Sequence, residues 1–286
     1  MVRLRIVSED DGRSPAQRAR RLHRARDSDE SRALLEAVLA PLRDAQHHVE
    51  GAIAEAGAIA EAATTESDAL AENGAPLRQI PATLWPLLDR AYAALDRYTG
   101  HLLHTAAIDP TCGPRCSACC TDLPPILPIE ALRMLRALRE RPRARTSIQR
   151  AVEHTRSFQA LLAAATAATA GGPRLDASAP AYRESQLAWR RLGHPCPVLG
   201  DDGSCSAYAA RPLSCRAHVH VEDPAHCEPG SPRFLVAERP PLWGHPRECQ
   251  VEMALASLSR LLALPGVPNL SWGLARLHDL PLATGP

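Results

Sequence analysis

The sequence predicts a mainly α protein: an N-terminal antiparallel helical hairpin, followed by helices around a small irregular Cys-rich metal-binding module. Three observations carry this. Hydrophobic residues make up 45% of the 286 residues, and beside a supply of Ala and Leu there are only two Phe, four Tyr and four Trp. A core of Ala and Leu suits close helix packing, because Ala has the best helix propensity and Leu loses little rotamer freedom in a helix. Apolar residues recur at spacings of three and four, while β-branched alternating runs are too few for a sheet of any size. Eight of the nine cysteines fall between Cys112 and Cys227.

Taken in order, residues 1–30 read as a flexible Arg-rich arm, with eight Arg and six acidic residues and few apolar ones. Val2–Val7 alternates as a short strand would. Residues 31–107 read as the hairpin. Its first helix covers 31–72, where Leu35, Val38, Leu42, Ala45, Val49, Ala52, Ala56, Ile59 and Ala63 form a heptad seam. Pro41 either kinks its first turns or marks the true start. Asn73-Gly-Ala-Pro76 breaks the helix. The second helix covers 82–107, with Leu84, Leu88, Ala91, Leu95, Tyr98 and Leu102 on one face and Pro86 in the first turn. Such stripes form either core or a dimer face.

Residues 108–250 read as the cysteine-cluster domain with a helical insert. Pro128 opens a helix to about 141, carrying Ile129, Leu132, Leu135 and Leu138. Further helices are expected over 146–169, ending at Gly171-Gly172-Pro173, and over 181–192. Residues 193–248 read as irregular. The tail, 251–286, should pack on the core, with helical patterns over 248–264 and 271–280.

Net charge is +1, so charge gives no argument for nucleic acid or an anionic membrane as partner. All basic residues other than His are Arg. Lysine chemistry, such as a Schiff base or the phosphate-loop Lys, is therefore excluded. Neither an export signal nor an apolar run of about 18 residues is visible, so the expected location is the cytoplasm with no membrane span. In a reducing compartment clustered cysteines more often hold metal than form disulfides.

The first cysteine group is Cys112, Cys116, Cys119 and Cys120; the second is Cys196, Cys205 and Cys215, with Cys227 following. Convergent thiolates are soft ligands for zinc, iron or an iron–sulfur cluster. The eight are the candidate metal ligands; Cys249 stands apart and reads as a buried apolar thiol. Adjacent side chains diverge, so Cys119 and Cys120 serve two centres, or one bridges, or one is buried. The turn Gly200-Asp-Asp-Gly203 folds Cys196 back beside Cys205, which makes Asp201 and Asp202 turn residues. Ser206 then caps a helical turn that presents Tyr208, Arg211 and Cys215 on one face. Tyr208, Arg211 and Arg216 are the candidate cofactor-binding residues, since positive charge lowers thiol pKa.

The pattern Cys196-Pro197, Leu199, Cys205, Tyr208, Arg211-Pro212, Cys215-Arg216, with Cys116, Cys119 and Cys120 before it, resembles the YkgJ-type cysteine-cluster family. That resemblance implies zinc or iron chelation over about residues 112–227, with no assigned activity. Three residues stand between Cys112 and Cys116 where the family has two. A flagellin lysine N-methylase resembles the family in its cysteines, so the resemblance admits an enzyme, although no glycine-rich S-adenosylmethionine loop is present. The Cys112, Cys116, Cys119 spacing also resembles that of radical S-adenosylmethionine enzymes, whose strand–helix alternation is missing here.

His218 and His220 alternate, and His226 precedes Cys227; these are ligand or tuning candidates, or loop residues. His101 and His104, like His47 and His48, read as solvent-facing. Three functions follow in order: a metal-binding module, an iron–sulfur-dependent modifying enzyme, and a helical interaction protein with a structural zinc staple. The partners expected are a metal ion and a protein partner, or a second copy through the hairpin.

Overall fold

The computed structural model describes residues 14–63, 80–112, 116–168, 179–228, 231–232 and 241–280. These form nine α-helices: α1 Pro15–Arg26, α2 Asp29–Ala63, α3 Leu84–Thr105, α4 Pro128–Arg139, α5 Ala144–Ala168, α6 Pro180–Leu192, α7 Leu213–Ala217, α8 Pro246–Leu261 and α9 Leu270–Leu277. No strand occurs among the described residues, and the mainly α expectation holds. No described helix is long and apolar enough to cross a membrane.

Helix α1 occupies Pro15–Arg26, within the segment expected as a flexible arm, whose residues 1–13 lie outside the described residues. Ser14 Oγ accepts from Gln17 N at 3.3 Å, and Gln17 Oε1 accepts from Ser14 N at 2.8 Å. This reciprocal cap, with Pro15 in the first turn, starts a helix. Leu22 and Ala25 are buried, and α1 packs on α3. Its charge is met from far along the chain: Arg26 Nε donates to Glu248 Oε1 at 2.6 Å. The strand expected over Val2–Val7 lies outside the described residues.

Helix α2 continues past Pro41, which sits inside it and does not mark its start. Leu35, Val38, Leu42, Ala45 and Val49 are buried, and α2 packs on α3 and α8. On α3 the whole predicted stripe, Leu84, Leu88, Ala91, Leu95, Tyr98 and Leu102, is buried. These stripes are core. The side chains of Ala56, Ile59 and Ala63, the end of the helix expected to reach 72, and the break at 73–76 lie outside the described residues, as does the turn at 171–173.

Helix α4 is the central element. Ile129, Leu132, Leu135 and Leu138 are buried, and so are Glu130, Ala131, Arg133 and Met134. A helix buried on nearly every side belongs in the middle of a layered core. It packs against α8 and α9. At Gly273 of α9 an added Cβ would lie 2.9 Å from the Ala131 Cβ, so this close crossing needs glycine. A smaller apolar cluster of Leu123, Phe158, Leu162, Ala181, Tyr182 and Trp189 joins α5 and α6 to the chain beside the first cysteines.

Candidate metal centre

The segment after α6 is short on regular structure. Leu199 and Cys205 form an isolated antiparallel bridge. Gly200 N donates to Ser204 O at 2.8 Å and Ser206 N to Val198 O at 2.9 Å, closing the predicted turn. Gly203 holds φ at +75°, a left-handed conformation that glycine adopts without strain. Cys205 is thereby returned toward Cys196. The next turn is 3-10, Tyr208–Ala210, and begins at Ala207 with no side-chain cap, so Ser206 does not cap it. Pro212 separates it from α7, which carries Cys215 and Arg216.

Three chain segments converge on one cavity of about 730 Å³. Cys112, Cys116, Cys119 and Cys120 line it from the first, Cys196 and Cys205 from the second, and Cys215 from α7. Cys196 N donates to Cys120 O, tying the first two segments together. His220 N donates to Cys112 Sγ at 3.2 Å, and Thr111 N to His220 O at 2.8 Å, tying the first to the chain after α7. Cys227, 3% exposed in the 3-10 turn Pro224–Cys227, does not line the cavity. None of the nine cysteines is in a disulfide.

The thiols influence one another in two overlapping sets. Hydrogen bonding to Cys116, then burial, pushes the Cys112 thiol well up, with Cys119 adding to the effect. Hydrogen bonding to Cys120, then burial, does the same for Cys119. Burial pushes up Cys196, with Cys215, Cys205 and Cys119 contributing. Burial raises Cys215 to about 12, with Cys119 and Cys205 adding and Arg211 opposing. Burial also raises Cys205, against Arg211 and Arg216. Cys119 takes part in both: Cys112, Cys116, Cys119 and Cys120 influence one another on one side, and Cys119, Cys196, Cys205 and Cys215 on the other.

The donor chemistry fits a soft or borderline cation: many thiols, and a guanidinium and backbone N–H groups around them. Their spacing is looser. Among the described residues no three His, Cys, Asp or Glu side chains are gathered closely enough to hold an ion. The sulfurs line a cavity wall, and binding would have to draw them inward. Each bound thiol would also release its proton.

The predicted cofactor-binding residues divide. Arg216 is buried and committed: Nε donates to Arg211 O at 2.9 Å, Nη2 to Ala209 O at 2.6 Å, and Nη1 to Asp96. It anchors α7 to α3. Arg211 stacks on Tyr208, its guanidinium carbon 3.8 Å from the ring centre, and both line the cavity. His218 lines the cavity too, with its ring centre 5.2 Å from that of buried His220. His226 Nδ1 pairs with Glu222 at 3.0 Å.

Sequence reasoning missed Glu130. This buried carboxylate accepts from Tyr92 Oη at 2.5 Å, Leu213 N at 2.7 Å and Leu127 N at 2.9 Å. It thus fixes the first residue of α7, two before Cys215, against the centre of the core. Burial raises its pKa, partly opposed by those three hydrogen bonds and Arg133. Arg133 braces the same corner, donating to Asp89 and Ala209 O at 3.0 Å each, with Tyr92 beneath it at 4.2 Å. Also missed was the tie from α6: Arg190 Nη2 donates to Asp122 at 2.8 Å and Trp189 Nε1 to Thr121 O at 3.1 Å. The available signal for Glu130 was its position two residues after Pro128, where a carboxylate caps a helix.

Residues 111–231 match the CxxCxxCC family model, described as "Putative zinc- or iron-chelating domain". The match covers fewer than half of the 286 residues and bears out the cysteine-cluster resemblance over that segment. No curated protein and no solved structure matches the chain.

Proposed function

From a segment that matches a zinc- or iron-chelating domain, we propose that this chain binds zinc or iron through Cys112, Cys116, Cys119, Cys120, Cys196, Cys205 and Cys215. The observation that carries the reading is the delivery of these seven thiols to one cavity by three chain segments. Packing alone gives no reason to gather so many thiols on one surface. The set containing Cys196, Cys205, Cys215 and Cys119 supplies the four sulfurs that a tetrahedral ion takes. Arg211 supplies positive charge beside the two that it opposes in pKa. Cys227 is left out, because it is buried away from the cavity. Free thiols in this number suit the cytoplasm.

An iron–sulfur cluster is the second reading. Seven thiols exceed the four that saturate one zinc, and the cavity is far larger than an ion. A bound cluster supplies electron transfer, whereas a bound zinc supplies a structural clamp. The chain's own residues do the same work in both cases: they fix the sulfurs through Glu130, Arg216 and His220 N, and leave one side of the cavity open.

The test is anaerobic purification, followed by elemental analysis and an absorption spectrum on one sample. Stoichiometric zinc without colour supports the clamp; iron with comparable sulfide and broad visible absorption supports the cluster. Cys119→Ser, touching both thiol sets, should remove at least half of the bound metal, while Cys249→Ser leaves it unchanged. A protein that takes up neither metal, or a Cys119→Ser, Cys215→Ser double variant with full metal content, refutes the proposal.

A further inference from the structure

We infer that the same cavity also binds a small monocarboxylate with an apolar body, held by Arg211. This deepens the metal reading and rests on it.

The first reason is room. A cavity of about 730 Å³ lies within the roughly 300–1,000 Å³ of small-molecule sites, and a single water occupies only about 30 Å³ of liquid. Metal and sulfur leave most of it open. The second reason is the apolar share of the wall. Besides the cysteines, the lining includes Leu123, Pro124, Met134, Val198, Val219 and Leu270. Apolar surface of this kind beside charged and polar groups suits an organic body with one charged end better than a hydrated ion.

The third reason is the state of the arginines. Three of them line the cavity. Arg190 is paired with Asp122, and Arg216 with Asp96 and two carbonyls. Arg211 differs. Its plane is set by stacking on Tyr208, and its Nε is buried with no hydrogen-bond partner among the described residues. A buried guanidinium N–H without an acceptor is costly, and a held planar fork matches a carboxylate in two-point contact. The sulfur-rich wall and Asp122 disfavour a dianion, which selects a single negative charge.

The test uses the intact, metal-loaded protein and hexanoate as probe, with hexanol as its uncharged counterpart, in titration calorimetry. Metal content is measured on each sample. Hexanoate should bind, and Arg211→Ala should weaken it at least tenfold while changing hexanol affinity less than twofold. Should Arg211→Ala lose its metal, Arg211→Lys, which keeps the charge but not the fork, carries the comparison, with an expected loss of at least threefold. No hexanoate binding to metal-loaded wild type overturns the inference and leaves the metal reading standing. Equal hexanoate affinity in the Arg211 variants, as expected for direct attachment to the metal, overturns it too. Failure of the wild type to hold metal removes the premise and the inference together.

Discussion

Between α2 and α3 apolar stripes, Leu35 to Val49 on one and Leu84 to Leu102 on the other, are buried where the two helices pack, whereas from Gly193 to Glu228 the longest helix, α7, has five residues. In the first region burial of Leu and Ala stabilises each element directly. In the second, elements too short to fold alone are tied down one hydrogen bond at a time. Leu213 N reaches Glu130, Arg216 reaches Asp96, Cys196 N reaches Cys120 O and His220 N reaches Cys112. The lesson is that the helical body is held by burial along its own stripes, while the cysteine module is held by hydrogen bonds to groups elsewhere in the chain.

The sharpest break of that comparison falls in the body. Glu248 is fully buried and accepts from Arg26 at 2.6 Å, Tyr98 at 2.8 Å and His245 N at 2.9 Å, joining α1, α3 and α8. Glu248→Ala leaves the buried Arg26 guanidinium without its carboxylate, with only the Pro241 carbonyl as acceptor, and should cost about 3–5 kcal/mol in urea unfolding. Metal content per folded molecule should not change. Loss of metal without loss of stability would show that the two regions are not separable in this way.

Acidification should act next in size, at the α5–α6 cluster. His154 is 9% exposed, stands 5.0 Å from Trp189 and 5.6 Å from His194 by ring centres, and has its pKa lowered to about 4 by burial, His194 and Arg150. The unfolded imidazole titrates near 6.5, so the unfolded chain binds the proton first. Stability is therefore full above about 6.5 and is lost as pH falls toward 4. Between pH 7 and 5 this amounts to about 2 kcal/mol. His154→Leu should flatten that difference in paired urea titrations; an unchanged pH slope would contradict the assignment.

The smallest effect tests the tie between the regions. Glu130→Gln keeps one acceptor oxygen and should cost about 1–2 kcal/mol of stability, through the loss of a buried hydrogen bond. Its more telling effect is on the module: with Leu213 N less firmly held, a competing chelator should strip metal at lower concentration than from wild type. Unchanged chelator resistance would make Glu130 a residue of the body only.

Much of the helical body was legible in advance. The α3 stripe and the α4 face were readable because both repeat at helical spacing and both are buried. Helix α1 was not, since its only buried apolar side chains are Leu22 and Ala25. What completes its anchoring is a carboxylate 222 positions away. Of the two roles that local chemistry offers Pro41, the start is ruled out: the helix begins at Asp29, and Leu39 and Leu42 are buried on both flanks of the proline.

At the candidate site the thiols and the Gly200–Gly203 turn were readable from residue type and spacing. The roles of Arg211 and Arg216 were not, although they lie five residues apart in one motif. Asp96 on α3 and the carbonyl of Ala209 take up Arg216, while Tyr208 orients Arg211 toward the cavity wall.

By itself, the sequence determined the helical class, the stripes that become core and the soft-donor chemistry of the cysteines, because periodicity and side-chain type are local properties. The tertiary structure alone decided that Cys227 does not line the cavity, that Arg216 is taken up by Asp96 and that Glu130 holds α7. Those outcomes depend on which distant groups meet in a dry interior, where an unpaired polar group is costly and a partner from any part of the chain will serve.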